Sequence, residues 1–237
     1  MGTSSRYSAP TGGEWTRAKT RMTNWTRGGG QNPDLASAAL AAFVTALGGA
    51  ASAAAAASGG VSGAAGLGEF LSDVSREGLD ATLDRYELAD VVGAEPLEVI
   101  NEIAARISGA GDSVEEAAGR QALLEVLSEL YADTDSFEDM EAVAVDADRL
   151  RDFLARYLTE YIYRRVLQAL GDRIRNNAAS EAEAARLEQQ LREHIRALVD
   201  LDLSTIDPLR LNWRNAAGRR RMEELLADAF RMASAGE

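Results

Sequence analysis

The chain has 237 residues, with 25 Lys and Arg against 38 Asp and Glu, a net charge of −13, one His, four Pro and no Cys. With no Cys and only His194, the composition excludes a structural zinc site, an iron–sulfur cluster, a thiol nucleophile and a disulfide scaffold. Lys19 is the only Lys and belongs to no G-x-x-x-x-G-K-[ST] pattern, which excludes a Walker-type phosphate loop.

Aromatics make up 6% of the chain, Ala is abundant and Arg almost replaces Lys, a mix suited to helices in close contact. The expected fold class is all-α: a multi-helix, bundle-like domain over residues 32–237, with a sub-boundary near 68 or 110, preceded by a flexible arm over 1–31. Charge is uneven. Residues 1–67 hold five basic against two acidic groups, net +3, and the remainder holds 20 against 36, net −16. So acidic a body repels a phosphate backbone and disfavours nucleic-acid binding outside the arm. The first thirty residues are polar and carry no secretory signal, and the lack of Cys fits a reducing compartment, so the expected location is the cytoplasm.

In chain order, residues 1–31 hold Pro10, Gly12-Gly13 and Gly28-Gly29-Gly30 among Thr, Ser and Arg with no sustained period, and read as a largely irregular, extended arm. Asn32-Pro33-Asp34 reads as a helix start: a cap, a Pro at the first position and an acid favourable to the dipole. Leu40, Phe43, Val44 and Leu47 then lie on one helical face. Residues 35–67 are uncharged, but 15 of the 33 are Ala and six are Gly, too little apolar area to favour a membrane span. Gly59 to Gly68 reads as a hinge or as a tight helix contact, and the sequence leaves both open. Phe70, Leu71 and Val74 mark a short helix, Leu79 to Leu88 another, and Pro96 opens a third through Ile107. Ser113 and Glu116 form a capping box for the next. Asp146 to Leu170 predicts a long helix with a broad apolar face and Gly171 as its stop. Ser180 and Glu183 cap a helix striped by Leu187, Leu191, Ile195 and Leu198, and a last helix covers Trp213 to Met232.

No constellation points to catalysis, so no catalytic residue, metal ligand or cofactor is expected and the chain reads as a non-enzyme. His194 lies on or beside an apolar stripe with no evident Ser partner, which suits packing. Gly60-Val61-Ser62-Gly63-Ala64 lacks the last Gly of a nucleophile elbow. The carboxylates at 115–116, 133–141 and 146–152 read as solvated helix faces, and Arg219-Arg220-Arg221 as pairing with the acidic body. The arm is the unusual part: Tyr7, Trp15 and Trp25 interleave with Arg6, Arg17, Lys19, Arg21 and Arg27, suited to docking on protein and also to stacking on bases while pairing with phosphates. At the start, removal of Met1 would leave the amine of Gly2. Its pKa of roughly 7.7–8.0 leaves a neutral, nucleophilic fraction at physiological pH. Arg6 breaks the myristoylation pattern.

The Met1-Gly2-Thr3-Ser4 start, Tyr7, Pro10 and the stretch Gly-Ala-Gly-Asp-Ser-Val-Glu-Glu-Ala at 109–117 resemble the QatB family, the B component of four-gene bacterial Qat anti-phage systems. Ala9 and the run 36–58 depart from the family pattern. The resemblance implies assembly with a QueC-like protein (QatC), a KAP-type P-loop ATPase (QatA) and a TatD-like nuclease. QueC-like enzymes activate the carboxylate of a 7-carboxy-7-deazaguanine with ATP and pass it to an amine. The resemblance therefore implies Gly2 as the modified residue and Gly2, Thr3, Ser4, Tyr7, Pro10, Trp15 and Trp25 as partner-binding residues. Two alternatives stay open: an unmodified helical scaffold for the ATPase, and a nucleic-acid sensor using the basic aromatic arm.

Overall fold

The computed structural model describes residues 11–108, 113–201, 203, 207–213 and 215–235. Among these the chain is all-α, with eleven α-helices and no strand. They are α1 (Gly13–Arg27), α2 (Pro33–Ala46), α3 (Ala50–Ala56), α4 (Ser58–Glu77), α5 (Leu79–Arg85), α6 (Pro96–Ser108), α7 (Val114–Leu130), α8 (Phe137–Glu141), α9 (Ala147–Asn177), α10 (Glu181–Leu198) and α11 (Ala216–Ala233).

The starts follow side-chain chemistry. Asn32 accepts from the backbone of Asp34 and Leu35, with Pro33 at the first helical position. Ser113 and Glu116 form the reciprocal capping box of α7. Asp146, Ser180 and Asn215 cap α9, α10 and α11 by accepting from the third residue on.

Helix α9 is the axis of the molecule. Its 31 residues extend roughly 46 Å at 1.5 Å per residue, and α1, α4, α7, α10 and α11 pack against it. It buries residues around its whole circumference, from Leu150, Leu154 and Tyr157 to Val166, Leu170 and Ile174. Gly171 is buried within it and does not end it; the helix continues six residues to Asn177.

Gly59 to Gly68 is a contact and not a hinge. These residues lie within α4, which runs unbroken through position 68 and takes in Phe70, Leu71 and Val74. A Cβ at Gly60 would come 2.6 Å from the Tyr161 ring, one at Gly68 would come 2.7 Å from the Trp213 ring, and one at Gly63 would collide with the Tyr157 hydroxyl. The glycines let α4 lie directly on the aromatic flank of α9 and on the indole preceding α11. Trp213 itself precedes α11 and donates from Nε1 to the Pro208 carbonyl and to Ser72 Oγ, 3.1 Å each. Gly60 to Ala64 is helical, with none of the strand-to-helix turn of a nucleophile elbow.

The first helix corrects the reading of residues 1–31 as a largely irregular arm. Residues 13–27 are helical and bury Ala18, Met22, Trp25 and Thr26 against α2 and α9. Among the described residues no single helix is long and apolar enough to cross a membrane. The pair α2 and α3 passes on composition only when taken together across a 62° bend, and α2 buries its Leu40, Phe43 and Val44 inside the fold.

Candidate functional site

Gly2, Thr3, Ser4, Tyr7 and Pro10 lie outside the described residues. The described chain begins beside them at an exposed place: residues 11–14 are all at the surface, and α1 starts without a side-chain cap behind Gly12, whose φ of +130° suits Gly.

Helix α1 has three flanks. One is the buried stripe, which takes both tryptophans. Trp25 is 1% exposed and its indole nitrogen donates to the Gly30 carbonyl at 3.1 Å. Gly30 has φ +73°, and a Cβ there would come 2.5 Å from Leu187 and from Gln190, so only Gly closes this turn. Trp15 is half-buried and meets Phe43 edge-on, with centroids 6.1 Å apart. The structure thus packs Trp25 into the core beside Gly30. Trp15 keeps part of its surface.

The second flank carries Arg17 and Arg21. Along the third, Thr16, Thr20, Thr23 and Arg27 follow one another at helical spacing beside Lys19 and Asn24, and across from them stands Arg173 of α9. These residues line a groove of about 390 Å³ with no carboxylate in its walls. Arg27 is oriented by its Nε donating to Asn177 Oδ1 at 3.1 Å, and Asn177 is held by donating to the Arg173 carbonyl at 2.6 Å. A larger cavity of about 640 Å³, between α9 and the end of α10, is lined by three Asp and three Arg whose charges cancel.

His194 has the serine partner that the sequence did not reveal. Its Nε2 lies 2.9 Å from Ser37 Oγ on α2, with Ser37 buried. Burial lowers the imidazole pKa from its ordinary value. Ser37 sits within a regular helix, without the exposed turn of a nucleophile, so the pair ties α2 to α10.

The carboxylate clusters do not converge. Glu116, Asp139 and Asp146 cap helices, while Glu115 pairs with Arg165 at 2.5 Å and Asp152 with Arg156 at 2.9 Å. Among the described residues no group of three or more potential ligands is placed to hold a metal ion. Of the run at 219–221, Arg221 pairs with Glu224 on its own helix, and neither neighbour has a carboxylate partner among the described residues.

A charge cluster inside the fold was missed. Glu160 is 1% exposed and accepts from Arg164 at 2.7 Å and Arg192 at 2.8 Å. Glu125 of α7 accepts from the same two arginines at 3.2 and 2.8 Å. Both guanidinium groups lie over the Tyr163 ring, 5.5 and 4.9 Å from its centroid. The available signal was a Glu within the apolar run Tyr157 to Ile162, four residues before an Arg.

A family profile described as QatB, Qat anti-phage system associated protein, matches residues 48–233. That span covers α3 to the end of α11 and leaves α1 and α2 outside it. No curated protein and no solved structure matches the chain.

Proposed function

Because this chain belongs to the QatB family and so has a role in a Qat anti-phage system, we propose that it is a protein substrate and assembly partner, not a catalyst. In this reading a QueC-like enzyme (QatC) joins a 7-deazaguanine carboxyl, activated with ATP, to the Gly2 amine after Met1 is removed. Thr3 and Ser4 are read by the enzyme's cleft, and Tyr7, Pro10 and the exposed part of Trp15 add contact beside it. The helical body holds the KAP-type ATPase (QatA), with the TatD-like nuclease in the same system. The protein acts in the cytoplasm without a membrane.

The observation that carries this reading is the pairing of an anchored helix with an exposed start. Ala18, Met22 and Trp25 fix α1 to the body, while residues 11–14 stay at the surface. Ten residues attached there can extend at most about 35 Å, enough to enter a neighbouring enzyme's cleft while the base stays rigid. A Gly amine has no side chain to obstruct that cleft, and its neutral fraction at physiological pH makes an α-amine a better nucleophile than a lysine side chain, whose ordinary pKa is roughly 10.4. Burial of Trp25 weakens the rival sensor reading, since a ring buried in the core cannot stack on a base.

The test is a Gly2→Pro variant in a phage challenge with the complete system. The ring makes the terminal amine secondary and blocks amide transfer in a tight pocket, while lying eleven residues before α1. Loss of protection with an unchanged melting temperature is the expected result. Full protection by the variant overturns the substrate reading and leaves the scaffold.

A further inference from the structure

We propose that the turn leading into α6, together with the exposed face of that helix's first two turns, is a docking surface for a basic segment of a partner protein, one carrying an apolar side chain flanked by Lys or Arg. The inference rests on the reading of this chain as an assembly partner and adds where the body is met and by what chemistry. It does not depend on the fate of Gly2.

The first support is where apolar surface is left in water. Among the described residues the large hydrophobics left exposed are Val92, Leu97 and Leu209, at 39%, 67% and 36%. Leu209 belongs to another loop, between Asp207 and Arg210, which pair with each other, and a single exposed apolar side chain is ordinary. Val92 and Leu97 are five residues apart on either side of one turn, and Leu97 is the most exposed of the three. The turn is firmly built. Val91, Val99 and Ile100 are buried around it, Ala94 N donates to the Val91 carbonyl at 3.1 Å, and Glu98 N donates to the Glu95 carbonyl at 2.9 Å. Asn101 Nδ2 donates to the Leu97 carbonyl at 2.7 Å. The two apolar side chains are thus presented on a fixed frame, which spares a partner the cost of ordering it.

The second support is charge of a single sign around that frame. Between Arg85 and Arg106 the chain has 20 residues with no Lys or Arg and with five acids, Glu87, Asp90, Glu95, Glu98 and Glu102. Glu87 pairs with Arg106 at 3.0 Å. The other four are exposed and have no ion pair among the described residues. Glu98 and Glu102 are one turn apart on the exposed face that carries Leu97, and they repel each other in the free protein. The α6 dipole accounts for Glu98 in the first turn, but not for Glu102 in the second or for Asp90 before the helix. Acid alone does not mark the place. In the base-free stretch 121–148, Glu125, Glu129 and Asp148 hold arginines and Asp146 caps α9, and no large hydrophobic is exposed there.

Together these observations choose the occupant. Unpaired carboxylates repel a phosphate backbone and an anionic lipid surface alike, so neither suits this place. An apolar centre within a charged rim is the form of a protein interface. Leu97 supplies the anchor, and Asp90, Glu95, Glu98 and Glu102 orient and speed the encounter with a basic rim on the partner.

The experiment is photo-crosslinking within the complete co-expressed system, with a photoreactive residue in place of Leu97 and the linked peptides identified by mass spectrometry. Cross-links to one segment of another component of the system are expected, with Lys or Arg on either side of an apolar residue. Co-purification of that component should fall about tenfold or more with Leu97→Ser, and likewise with Glu98→Arg and Glu102→Arg combined. It should stay unchanged with Asp133→Arg, an exposed acid elsewhere. All of these side chains are exposed, so the variants should keep the wild-type melting temperature. The mass at Gly2, read from the same preparations, reports modification separately, so the failure of one reading is distinguishable from the failure of the other. Cross-links confined to this chain or to a second copy of it, cross-links to a segment without Lys or Arg, no cross-link, or co-purification indifferent to the charge reversal overturns the proposal.

Discussion

At the scale of single residues, stability in this chain depends on what the side chain must fit against. Gly63 faces the Tyr157 hydroxyl so closely that no Cβ can be accommodated without movement. Gly63→Ala should therefore cost about 1–3 kcal/mol by overpacking. Tyr157→Phe in the same chain should recover part of that loss, because it removes the atom in the way and a buried hydroxyl with no partner. Urea denaturation of the single and double variants checks this, and additive losses would contradict it. His194 supplies a pH dependence with a definite sign. Its folded pKa lies below the ordinary 6.5 because the ring is partly desolvated. The unfolded chain then binds more protons at this site as pH falls, so the contribution is full above about 6.5 and is lost as pH drops toward the folded value. Between about pH 7.5 and 5.5 the wild type should lose more stability than His194→Gln, compared by urea midpoints; equal losses would count against the assignment.

At the scale of elements, α1 decides how the N-terminal region is understood. Trp25→Ala should destabilise the whole protein by about 3–5 kcal/mol, because the indole is sealed between α1 and α10. Were residues 13–27 a dispensable arm, the melting temperature would not move. The sequence concealed this helix for a physical reason: its apolar stripe is only Trp15, Ala18, Met22 and Trp25, set among threonines of modest helix propensity, and its packing comes from α2 and α9, far along the chain. Elements closed by local chemistry were readable, as with the capping box of α7 and the Asn32-Pro33 start of α2. Those that depend on distant partners were not. Gly171 is buried within α9 beside the Arg175 side chain of the same helix and does not end it, and at Gly60, Gly63 and Gly68 of α4 aromatic rings occupy the space the missing side chains leave. The same limit applied to the site, where Arg173 meets Lys19 and Arg27, and Ser37 meets His194, only after α1, α2, α9 and α10 have packed. The buried ions joining α7, α9 and α10 give a further expectation. Glu160→Ala leaves Arg192 and Arg164 sharing Glu125 alone, and should cost about 3–5 kcal/mol by thermal or urea unfolding.

At the scale of the whole molecule, a helical body organised around α9 carries a fixed first helix with an exposed start. On the proposed reading, this body gives rigidity and the Gly2 amine is the group acted upon. The most direct measurement is the intact mass of the protein purified after co-expression with the QueC-like partner, active or disabled. The account predicts a species lacking Met1 and carrying one amide-linked deazaguanine, localised to Gly2 by fragmentation, only with the active partner. The Met-cleaved mass alone in both preparations would contradict it.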